Sequence, residues 1–167
     1  PGRAEQASEF NEIQSIARDY TERLGNAVLK DGYVVSGIVP SISDTVLTLT
    51  AGKIFLSGLV RNTNAVTLHV NSVGMEYVVA YVTESIVTYA NDTSLRDPAQ
   101  GAQNYNMIGA DRAKEDVNFA IVTDLSNAPE GSAQVYAFSD GVLVKDTDTN
   151  QYDFINLKDT DIKLLKV

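Results

Sequence analysis

The sequence predicts an α+β fold that is mainly β: an N-terminal helix with a coiled-coil-like seam, a small antiparallel β sandwich or barrel, and a C-terminal β-rich lobe. Three observations predict it. Apolar residues recur at alternating intervals of three and four near the N-terminus, the period then drops to two with β-branched residues dominant, and no helical pattern separates the strands that follow. The organisation expected from this is an oligomerisation or attachment helix over 1–31, a β-rich body over 32–122 with a long loop at 91–116, and an acidic β-rich lobe over 123–167.

The helix is expected from Ser8 to Leu29. Phe10, Ile13, Ala17, Tyr20, Leu24 and Ala27 form its seam, and Ile16 and Val28 widen the stripe. Glu9, Glu12, Arg18, Asp19, Glu22 and Arg23 fall mostly off the seam and predict a solvated face. Ser8 suits an N-cap and Asp31-Gly32 a stop. Such a stripe can pack on its own domain or on copies of itself, and the pattern favours neither. Two and a half heptads are marginal alone, so self-association would need help from the globular part or from a longer helix upstream.

Strands are expected at Tyr33–Val35, Val46–Thr50, Lys53–Leu56, Val66–Val70 and Tyr77–Thr88. Gly37, Gly52, Gly58, Gly74 and Asn62-Thr63-Asn64 punctuate them at roughly ten-residue spacing, which suits a sandwich or barrel better than a parallel sheet. Asn91–Asp116 lacks periodicity and is rich in turn formers; a loop that long is usually functional or disordered. Strand patterns return at Val117–Val122, Ala133–Phe138, Val142–Val144 and Tyr152–Leu157.

Composition narrows the function. A formal charge of −9 opposes a phosphate backbone, so nucleic acid is excluded as a partner. The absence of cysteine removes disulfides, thiolate metal sites and cysteine nucleophiles. Nothing is long and apolar enough to cross a bilayer, no basic stretch followed by an apolar run is visible, and the chain begins with Pro1 rather than Met, so it reads as a soluble piece cut from something longer.

Catalytic sets are missing too. The single histidine, His69, lies in an alternating strand and reads as one face of a sheet, so a Ser-His-Asp triad has little to build on. No nucleotide-binding glycine motif occurs. Asp146-x-Asp148-x-Asn150 opens like a Ca²⁺ loop but continues with Gln151 and Leu157 where Gly and Glu are needed, so a polar hairpin is the better account. No enzyme, metal or cofactor is expected. Two Asp/Arg clusters, Arg96-Asp97 and Asp111-Arg112, share the long loop; their guanidinium forks suit pairing with Asp97, Asp111 or carboxylates of a neighbouring chain. That loop also carries Leu95, Tyr105, Met107 and Ile108, which predicts ordering by another chain rather than by its own packing.

Pro1-Gly2-Arg3, Gln6-Ala7-Ser8-Glu9, Asn11-Glu12, Gln14, Leu24-Gly25 and Lys30-Asp31-Gly32 resemble the opening of a family of tail-fibre and baseplate-associated proteins of tailed phages and prophages. Ser94-Leu95-Arg96-Asp97-Pro98-Ala99 and Gly109-Ala110-Asp111-Arg112 resemble the same family, so the likeness covers residues 1–115 and fades beyond Val117. The resemblance implies a virion structural protein, assembled in the bacterial host cytoplasm, that anchors a fibre to the tail as a homotrimer. Its implied partners are other tail or baseplate proteins, with host glycan reached through a distal region. Two other readings stay open: a carbohydrate-binding β module, for which Tyr77, Tyr81, Tyr89 and Tyr105 would have to form an aromatic platform, and a glycan depolymerase, which needs two converging carboxylates.

Overall fold

The computed structural model describes residues 7–145, and side chains from 11 to 144. The expectations on Asp146, Asp148, Asn150 and the strand at 152–157 lie outside the described residues, as does the side chain of Phe10. Among the described residues one α-helix, α1 (Ala7–Val28), precedes ten strands. Ala7 is already helical, so Ser8 lies inside the helix instead of capping it. It stops at the expected place, where Gly32 takes a positive φ of 90° and donates its N–H to the Phe55 carbonyl at 2.9 Å.

The body is built from three antiparallel sheets. The first joins β1 (Tyr33–Gly37), β4 (Gly52–Leu56) and β5 (Leu59–Thr63); the second joins β2 (Pro40–Ser43), β3 (Val46–Leu49) and β6 (Val66–His69). The third runs in the order β10 (Val142–Lys145), β9 (Ala133–Ser139), β7 (Met75–Val87), β8 (Arg112–Val122). β9 lies directly against β7, so this sheet spans the expected boundary at residue 122.

All three sheets contribute to one core. Ile54 and Leu56 come from the first, Leu47 and Leu49 from the second, and Val78, Ala80, Phe119, Val135 and Phe138 from the third. Buried polar groups are matched, as burial requires. Glu76 accepts from the backbone N–H and side-chain amide of Asn71 at 2.7 and 2.6 Å, and the Tyr136 hydroxyl donates to the Ile38 carbonyl at 2.6 Å. That second bond holds an unusual residue. Ile38 has φ 54°, a region β-branched side chains avoid, yet its side chain is fully buried.

Two strands escaped the sequence pattern. β2 begins with a proline and lies at a sheet edge, where a missing N–H does no harm. β5 contains Asn62 and Thr63, which resemble loop residues, but it pairs with β4 through the two-residue turn Ser57-Gly58, whose φ values of 51° and 75° match the twist of a tight hairpin.

The expected loop at 91–116 is shorter than its composition suggests. β7 and β8 stay in register as far as Val87↔Arg112, while β9 accompanies β7 only to Ala80. Beyond the body the pair is therefore a two-stranded ribbon, with Thr83, Glu84, Ser85 and Ile86 exposed on both faces. Without one buried face the ribbon has no reason to alternate; the expected strand Tyr77–Thr88 covered its β7 half, whereas its β8 half, Arg112–Asp116, stayed hidden in the sequence.

Candidate interaction surfaces on helix α1 and the ribbon tip

Helix α1 touches the body with its polar and small residues. A Cβ on Gly25 would stand 2.6 Å from Phe55 Cε2 and 3.2 Å from the Gly58 carbonyl oxygen, so the helix backbone lies almost on the Phe55 ring. One turn earlier Glu22 covers Gly58. Next along the same face, Arg18 Nη2 reaches Glu115 Oε1 at 2.9 Å, while Arg61 Nη1 binds Glu115 Oε2 and Arg61 Nε donates to the Leu56 carbonyl at 3.0 Å. Glu115 thus bridges helix, β5 and β8. Hydrogen bonds from Arg61 and then Arg18 hold its carboxyl below the usual carboxylate range, against a smaller opposing effect of burial, and Glu115 in turn raises Arg18.

The apolar stripe points elsewhere. At about 100° per residue, the line through Ile13, Ala17, Tyr20 and Leu24 is centred roughly 140° around the helix from Arg18, Glu22 and Gly25. Ala17 is exposed, and Ile13, Tyr20 and Leu24 are 63%, 65% and 70% exposed. Ile16 and Val28, also exposed, widen the stripe to about 120°. Among the described residues, the body leaves all of these side chains exposed.

At the far end of the ribbon, residues 88–111 hold themselves together. Asp97 N–H donates to the Met107 carbonyl at 3.0 Å, Asn106 N–H to the Asp97 carbonyl at 2.9 Å and Gly109 N–H to the Leu95 carbonyl at 2.8 Å, around a buried Leu95. The expectation that this loop needs another chain for its order is corrected: backbone bonds within the loop and one buried leucine supply it. Asp92 caps a single 3-10 turn at Thr93–Leu95, and its hydrogen bonds with Ser94 pull its carboxyl below the ordinary value, with a small contribution from Arg112.

The predicted Arg/Asp pairs are not formed among the described residues. Arg96 stacks over the Tyr89 ring at 4.9 Å and donates to the Asn106 carbonyl at 3.1 Å. Asp97 accepts from the Ala99 N–H at 2.8 Å. The reason is local: the Asp side chain closes its own turn more readily than it reaches its sequence neighbour. Arg96, Asp97 and Arg112 nevertheless line one open depression of about 580 Å³ at the ribbon tip, whereas Asp111 lies outside it. His69 stands exposed at the end of β6, opposite Val46. The four tyrosines are spread out, since Tyr77 and Tyr81 lie about 14 Å apart along β7 and Tyr89 and Tyr105 belong to the tip.

Sequence reasoning missed Glu115, Arg61 and Gly25 as anchoring residues. Glu115 is separated from Arg61 by 54 positions and from Arg18 by 97, so no local pattern could reveal the bridge.

A family described as a domain of unknown function (DUF4815) matches residues 1–158. No curated protein and no solved structure matches the chain.

Proposed function

We propose that this chain, which belongs to the DUF4815 family, is a structural assembly domain whose helix α1 joins it to further copies of itself, with no catalytic role. One observation carries the reading: the apolar stripe of α1 faces away from the body to which the opposite face of the same helix is fixed. A stripe turned inward would have been an ordinary core contact. Turned outward, it exposes a row of large side chains of the kind that marks an interaction site.

A width of about 120° exceeds a two-stranded a/d seam and suits three helices around one axis. Threefold symmetry makes the helices parallel, with like residues facing one another. The body supplies part of what a short helix lacks, because Gly25 and the Glu115 bridge attach α1 to it and so reduce the entropy lost on association.

The narrower setting rests on the resemblance of residues 1–115 to tail-fibre and baseplate-associated proteins: in this reading the trimer anchors a fibre to a phage tail, in the virion. Light scattering tests the assembly, with an expected mass three times the 18.1 kDa of the chain. A single-chain mass at micromolar concentration would overturn it. Antibody labelling of purified phage tails tests the setting, and particles without label would remove it while leaving the trimer intact.

A further inference from the structure

We propose that the depression at the tip of the β7–β8 ribbon is a docking site for a carboxylate-bearing segment of a partner protein. Its volume of about 580 Å³ lies within the range of pockets that hold ligands of a few residues or rings. The floor includes the buried Leu95, and Ser94 and Asn104 offer polar groups in the wall.

The choice of ligand follows from the two guanidiniums. Neither Arg96 nor Arg112 has a carboxylate within ion-pair distance among the described residues, whereas Arg18, Arg23 and Arg61 all do. Asp92 and Asp97, the acids nearest in sequence to Arg96, already accept backbone N–H groups of their own turns, and Asp111 beside Arg112 makes no ion pair with it among the described residues. Arg96 is also held in place before any ligand arrives, by the Tyr89 ring on one side and the Asn106 carbonyl on the other. One of its five N–H donors is used, so a planar fork remains to receive a carboxylate in two bonds, at small conformational cost.

A protein segment fits better than an acidic sugar. Beside the arginines the tip exposes Tyr105, Met107 and Ile108, at 50%, 62% and 56%. Aromatic, methionine and arginine side chains around polar groups make up the composition of protein interfaces. A sugar ring would look for an uncovered aromatic face, yet among the described residues no aromatic side chain lines the depression and the face of Tyr89 beside it is occupied by Arg96. The charge of −9 opposes the long-range approach of any acid, so recognition has to come from contact with the two guanidiniums. This site is separate from the α1 seam, and either can fail without the other.

The test uses the full chain with ¹⁵N-labelled arginine and three probes: N-acetyl-Leu-Glu-Leu amide, its Gln isostere, and glucuronate. Expected is saturable movement of the Arg96 and Arg112 Nε–H signals by the Glu peptide, with at least tenfold weaker binding of the Gln peptide. Arg112→Gln, which removes no hydrogen bond of the loop among the described residues, should weaken the Glu peptide tenfold or more. Lys53→Gln, exposed on β4, should leave it unchanged. Equal binding of the two peptides, equal shifts of all arginines, or an unaffected Arg112→Gln would overturn the proposal. Tighter saturable binding of glucuronate would overturn it in favour of a glycan.

Discussion

Replacing Leu24 by Asp separates the two fates open to the stripe of α1. In a single chain Leu24 is 70% exposed, so the substitution should change the stability of the body by no more than about 0.5 kcal/mol. In a trimer the same position is buried three times over. Burying the exposed part of a leucine is worth roughly 1–2 kcal/mol per copy, and an unpaired carboxylate there adds a desolvation cost of several kcal/mol. The sum is about 3–5 kcal/mol per chain, enough to raise the dissociation constant a hundredfold or more. The expected outcome is a loss of mass by light scattering over a concentration series, together with an unchanged unfolding transition of the β body once assembly is accounted for. An unaltered mass would refute the seam. A body melting many degrees lower would refute the outward orientation, since the side chain would then belong to the core.

Four further outcomes follow from the geometry. Because the chain has no cysteine, Leu24→Cys should oxidise to a disulfide-linked pair at low protein concentration if like residues face one another, and gel analysis without reductant reads this directly. Gly25→Ala should destabilise the helix-to-body contact despite a gain of about 1 kcal/mol in helix propensity, because the new methyl would meet the core-held Phe55 ring; faster hydrogen exchange of α1 is the readout. Glu115 has its folded value depressed below 4.5, so its contribution is complete above about pH 4.5 and is lost as the pH falls through the lowered value. Glu115→Gln should abolish that acid-side slope in pH-dependent unfolding. Tyr136→Phe should cost about 1–3 kcal/mol, because the buried Ile38 carbonyl loses its hydroxyl donor while φ at Ile38 stays strained, and thermal unfolding measures it.

Periodicity made the fold class legible. The three-and-four spacing from Ile13 to Leu24 identified α1, and alternation from Val46 to Val70 and from Tyr77 onward identified a β body, because one buried face imposes a period on the chain. Where no face is buried the signal weakened: the β7 half of the outer ribbon, Thr83–Val87, fell within the expected strand Tyr77–Thr88, but its partner Arg112–Asp116 was read as loop. The Arg/Asp clusters do not pair with each other within the described chain, since Asp97 turns to the Ala99 N–H and Arg96 to Tyr89 and Asn106.

The sequence by itself determined that α1 is amphipathic and that the body following it is mainly antiparallel β. It left open which way the apolar face of α1 points, because periodicity defines a stripe without saying what covers it. Only the tertiary structure decided that, through contacts no window of sequence contains. Gly25 lets the helix backbone settle on Phe55, and Glu115 draws in Arg18 from one side and Arg61 from the other. Those contacts commit the polar face of α1 to the body, and the rotation of 3.6 residues per turn then leaves the apolar face outside.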